Sequence, residues 1–192
     1  MNPKHELKCK EMAELAERFL PLSEFGFQKS EVLIEPYAIV IYDSGKCRIK
    51  LLWEGWDMYT GDTVMIYYGR SHAISDRSTM TWNGEECNCW HHPYEFLDFL
   101  DRLTPLEASK NTFPRFVDEL SKLGTTNKYS TQYERQLSMN AAVWQHYGQR
   151  LFDLFDLRRP DLWNQYSDFL VKYYSLKGSG IIPINPPLYK VC

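Results

Sequence analysis

The sequence predicts an α+β protein: an N-terminal helix and an antiparallel β-meander with a covering helix, then a helical segment and an extended apolar C-terminal tail. Three observations predict it. The first is a change of period. After one helix-forming stretch the apolar residues fall into short β-branched and aromatic runs bounded by turns, and from His92 onward they return to helical spacing. The second is order, with strands grouped and then helices grouped, which argues for α+β over the alternating βαβ of a parallel sheet. The third is composition. The 192 residues are 44% hydrophobic and 24% charged, with 10 Phe, 13 Tyr and 6 Trp, an aromatic-rich profile that can bury a core and is far from that of a disordered chain. This length suits one or two domains. The expected division is an α+β part over 1–124 and a helical hairpin with its tail over 125–192, packed on the first part.

Each element has its own signal. Residues 6–20 are rich in helix formers and set Cys9, Met12, Ala13, Ala16 and Leu20 on one stripe, and Pro21 ends the helix. Residues 37–43 and 47–53 flank Ser44-Gly45-Lys46 as a hairpin. A polar, aromatic loop over 54–62 leads to a third strand over 63–68. Asn83-Gly84, between residues 80–82 and 85–90, suits a type I′ turn, in which both central residues need positive φ. The meander therefore counts four or five strands. Over 93–103, Phe96, Leu97, Phe99, Leu100 and Leu103 keep helical spacing, with Pro93 in the first turn. Thr104 and Glu107 form a capping box that opens a short second helix, and residues 113–123 form a third, ended by Gly124.

Residues 124–129 are the best linker in the chain. Beyond them 131–157 reads as one long helix with Leu137, Trp144, Tyr147, Leu151, Leu154 and Phe155 close together on a wheel. Arg158-Arg159-Pro160 breaks it before a last helix over 160–176. Over 178–192, Pro183, Pro186 and Pro187 bar a helix, while Ile181, Ile182, Ile184, Leu188 and Tyr189 are apolar enough to strap across a groove, of this chain or of a partner.

Composition also limits function. No apolar run approaches the roughly 18 residues of a membrane span, and the first ten residues are charged with no apolar stretch after them, so the expectation is a cytoplasmic chain without an anchor or a secretory signal. Five cysteines, an odd number in a chain this large, are expected as reduced thiols. Residues 1–110 hold 12 basic and 18 acidic side chains (net −6), and 111–192 hold 10 and 7 (net +3). Opposite signs let either part select a partner of opposite charge. The longest basic run is Arg158-Arg159, too little for a duplex nucleic-acid surface.

Three constellations carry chemistry. Cys87, Cys89 and His91 share one face if their segment is a strand, and with Cys47 on a neighbouring strand they make a candidate zinc site. No C-x-x-C pair occurs, however, and buried cysteine behaves as a small hydrophobe, so the favoured expectation is a core position and no cofactor. Arg70, His72 and Asp76 follow a strand end, where Arg70 can hold a carboxylate or phosphate and His72 can accept a proton. Trp56, Asp57, Tyr59 and Asp62 combine rigid aromatic area with acids in a loop, the composition of a binding hot spot; stacking on a sugar or base would use the same rings. No G-x-S-x-G elbow, phosphate loop or H-E-x-x-H helix occurs. The expectation is a non-catalytic protein-binding module, an inhibitor, adaptor or oligomer subunit that uses the acidic aromatic loop and the helical and tail surface. The alternative is an enzyme built on Arg70, His72 and Asp76, with zinc as an option.

Overall fold

The hairpin expected around Gly45 forms the middle of the sheet. Gly45 takes φ +78°, its N–H donates to Asp43 Oδ1 at 2.7 Å, and the Ser44 hydroxyl donates to the Cys47 carbonyl at 2.9 Å, so the turn is tied to both strands it joins. A computed structural model describes residues 3–34, 37–53, 64–71, 90–91, 93–110, 131–156 and 158–177. Its elements, in chain order, are α1 (Pro3–Phe19), β1 (Gln28–Leu33), β2 (Ala38–Asp43), β3 (Cys47–Trp53), β4 (Met65–Arg70), β5 (Trp90–His91), α2 (Pro93–Leu100), α3 (Pro105–Lys110), α4 (Gln132–Tyr147), α5 (Gln149–Phe155) and α6 (Pro160–Lys177). The strands lie in sequence order in one sheet, each neighbouring pair antiparallel. The fold is thus α+β with an antiparallel meander. The expected hairpin at Asn83-Gly84, the helix over 113–123, the linker over 124–129 and the tail over 178–192 lie outside the described residues.

Alternation along the strands gives the sheet two different faces. Val40 and Tyr42 on β2, Cys47, Ile49 and Leu51 on β3, and Ile66 and Tyr68 on β4 join the main core with α1 and the later helices. Tyr42 donates to the Ala13 carbonyl on α1 at 3.4 Å, and Tyr133 on α4 donates to the Met12 carbonyl at 3.1 Å. Residues from before 110 and after 131 therefore enter the same core. The opposite face carries a smaller cluster, Ile39, Ile41, Leu52 and Trp90, over which Lys50 Nζ lies 4.7 Å from the Trp90 ring and 5.0 Å from the Tyr67 ring. Arg48 stacks 5.5 Å from Trp90 and pairs with Glu31 and Asp43. Gly69 stands between Arg48 and Trp90 in the register, so no side chain separates guanidinium from ring, and the cation and the ring quadrupole can meet.

Three elements differ from the sequence expectation. β1 was not expected: Gln28–Val32 are all exposed, so this edge strand has no apolar alternation to announce it, and its Lys29, Glu31 and bulge blunt the open edge. The single helix expected over 131–157 is two helices. Gly148, at φ +51° and ψ −127°, lies outside the helical region in a conformation that glycine reaches most cheaply, and its N–H closes α4 on the Trp144 carbonyl at 2.8 Å. The apolar period runs through the break because Trp144, Tyr147, Leu151 and Phe155 all enter one core. Finally, the helix expected to reach Leu103 ends at Leu100. Among the described residues no helix is long and apolar enough to cross a membrane.

Candidate functional site

The sequence candidates fall in three places. Arg70 closes β4 opposite Cys47, whereas His72 and Asp76 lie outside the described residues. So do Trp56, Asp57, Tyr59 and Asp62 of the acidic aromatic loop, and Cys87 and Cys89. Cys47 and His91 are described, on the helix-covered face with β4 between their strands. Both are core positions. The Cys47 thiol is pushed well up, chiefly by burial and then by the negative charge of Asp43, which holds it protonated. His91 packs its ring 5.2 Å from that of Trp163 and 6.1 Å from that of Phe155, and its Nδ1 is 3.4 Å from the Tyr166 hydroxyl. Among the described residues no three potential metal ligands converge.

A different site is built where α2 ends. Its last turn closes by a pair of bonds, Arg102 N–H to the Phe99 carbonyl at 3.0 Å and Leu103 N–H to the Asp98 carbonyl at 3.2 Å. This is the Schellman arrangement, whose C′ residue takes a left-handed conformation that normally selects glycine. Here that residue is Arg102, at φ +62°. Two residues on, Thr104 fixes the conformation from the other side. Thr104 donates its N–H and its hydroxyl to the Glu107 carboxylate, both at 2.8 Å, and its Oγ1 accepts from the Glu107 N–H at 3.3 Å. These bonds are the expected capping box, and they hold the Glu107 carboxyl below its ordinary range.

Between this pinned corner, α5 and α6 lies a cleft of about 410 Å³. Phe99, Leu103, Leu162 and Phe169 give it an apolar floor, with the Phe99 and Phe169 rings 5.7 Å apart. Arg102, Arg150 and Arg159 give it a charged rim, against which Asp153 is the one carboxylate in the lining. The three cations are held to different degrees. Arg150 donates to the Leu100 carbonyl, one of the acceptors the helix end leaves over. Arg159 is shared between Asp153 at 3.5 Å and Asp161 at 3.8 Å. Arg102, exposed, has no ion pair among the described residues.

Guanidinium stays protonated at any physiological pH and offers only donors. The cleft can therefore attract, orient and neutralise an anion, and among its lining residues no histidine, cysteine or hydroxyl stands ready to move a proton or attack a bond. The sequence signal for it was partial. Phe99 and Leu103 stand out as a helical stripe, Arg159 belongs to the longest basic run, and the positive half of the chain contributes Arg150; nothing in the spacing joins Arg102 to them. Comparison with protein-family models, with curated proteins and with solved structures yields no significant match.

Proposed function

We propose that this chain is a non-catalytic protein-binding module, an adaptor, inhibitor or oligomer subunit, and that its helical end carries a docking surface. The observation that supports this reading is the cleft between α2, α5 and α6, with an apolar floor under three arginines. Arginine and aromatic side chains around a desolvated centre are the usual carriers of binding energy between proteins. The acidic aromatic residues Trp56, Asp57, Tyr59 and Asp62 have the side-chain chemistry of a second binding segment, of opposite sign. Buried free thiols at Cys9 and Cys47 suit the reducing cytoplasm.

Selection of a displayed random-peptide library against the purified chain tests this. The expected result is a set of enriched peptides with micromolar Kd by calorimetry, weakened about tenfold or more by Arg150→Glu, since reversing a rim charge replaces attraction by repulsion. A library that yields no binder overturns the reading, and binders indifferent to Arg150→Glu remove the cleft from it.

A further inference from the structure

We infer that the occupant of this cleft is an acidic peptide segment with a bulky apolar side chain beside its carboxylate, and that Arg102 reads the charge. The inference rests on the protein-binding reading and names the partner's chemistry.

Charge comes first. The chain as a whole is acidic, at net −3, yet the cleft lining has three guanidinium groups and one carboxylate. Such a local reversal of sign favours an anionic ligand and penalises a cationic one. The floor adds the second requirement, because Phe99, Leu103, Leu162 and Phe169 gain by covering apolar surface. A bare anion would leave that floor wet, and a purely apolar group would leave Arg102 without a partner.

Arg102 carries the argument further. At the left-handed C′ position of a helix end, glycine is the residue that folding alone favours, and any other side chain is strained there. Arg102 holds this strained position with no ion pair of its own among the described residues, on the rim of a cleft already flanked by two other arginines. A side chain that costs stability and makes no ion pair among the described residues has its natural use outside the chain. The openness of the rim decides between kinds of ligand. Small molecules usually bury most of their surface in their sites, but Arg102 and Arg159 stand exposed at the edge. An entering carboxylate can thus continue into solvent as part of a longer chain.

The test uses the full chain and two blocked decapeptides that alternate Glu, or its isostere Gln, with Phe and Leu, together with phenylacetate as a small carboxylate. Calorimetry at low salt is expected to show the Glu peptide binding about tenfold or more tighter than the Gln peptide. Arg102→Gly is expected to abolish that preference and to raise Tm by about 2–4 °C, since the strain is released. Arg102→Gln keeps the strain and loses the charge, so it should abolish the preference and leave Tm unchanged. Equal binding of the two peptides, or a preference that survives both substitutions, overturns the inference. So does phenylacetate binding as tightly as the Glu peptide, which would make this a small-carboxylate site. A fall in Tm for Arg102→Gly overturns the assignment of Arg102, by showing that the arginine is there for the fold. If display-selected peptides bind while the Glu peptide does not, the inference fails and the protein-binding reading stands; if no peptide binds, both fail.

Discussion

Polar side chains in the core and polar side chains at the cleft are treated in opposite ways. In the core Trp144, Tyr68 and Asn140 bond in a chain: Trp144 Nε1–H donates to the Tyr68 hydroxyl at 2.5 Å, that hydroxyl donates to Asn140 Oδ1 at 2.8 Å, and Asn140 Nδ2 donates to the Gln136 carbonyl at 2.8 Å. This relay ties β4 to α4 across more than seventy residues of chain. At the cleft, donors are shared, loosely held or free. Two adjacent residues show both treatments, since Arg158 is closed onto Asp156 by several bonds while Arg159 divides itself between two carboxylates beyond 3.4 Å. A buried donor without a partner costs more than its bond is worth when made, so loose ends cost least where water or a ligand can meet them.

The comparison can be broken most directly from the core side. Trp144 is fully buried, stacks on Phe27 with centroids 5.2 Å apart and meets Phe25 and Phe152 edge-on. Trp144→Ala should cost about 3–5 kcal/mol in urea denaturation. Tyr68→Phe removes only one oxygen but strands the indole N–H and the Asn140 carbonyl, and about 1–3 kcal/mol should be lost. Arg150→Gln, at the cleft, should cost about 1 kcal/mol or less, because the side chain is exposed and gives up one bond to a carbonyl. If Arg150→Gln destabilises as much as Tyr68→Phe, the cleft is structural and the contrast fails.

Legibility in the sequence follows the same line. The buried stripe of α1, the hairpin about Gly45 and the capping box at Thr104 were readable because each needs only local spacing and a residue of special backbone or hydroxyl chemistry. β1 was not, since Gln28–Val32 bury no side chain and an edge strand is held mainly by its neighbour's backbone. The break at Gly148 hid for the opposite reason: the apolar period continues on both sides of it. Cys47 and His91 were weighed as metal ligands on their chemistry, and burial places both in the core. The cleft was least legible, because Phe99, Arg150 and Arg159 meet only through the packing of α2, α5 and α6. Arg102 did leave a trace, an arginine where a helix stops and glycine would be usual, but the trace has meaning only once the positive φ is seen.

A last contrast separates the two arginine treatments by pH. Asp156, buried beneath the exposed Arg158, has its carboxyl held down to about 2, first by the side-chain hydrogen bonds from Arg158 and also by its backbone N–H and the charge of Lys46. An unfolded aspartate titrates near roughly 3.9. Between these values the unfolded chain binds more protons than the folded one, so the contribution of Asp156 is fully present above about pH 5 and is lost as the pH falls through 4 toward 2. Stability of the wild type minus that of Asp156→Asn should therefore shrink across that window and be flat above it. Arg102→Gly, which breaks no carboxylate pair, should run parallel to the wild type over the same range. A pH-independent difference for Asp156→Asn would mean that the Arg158 pair is worth no more than the exposed contacts of Arg159, and a changed acid slope for Arg102→Gly would mean that Arg102 already has an acidic partner within the chain.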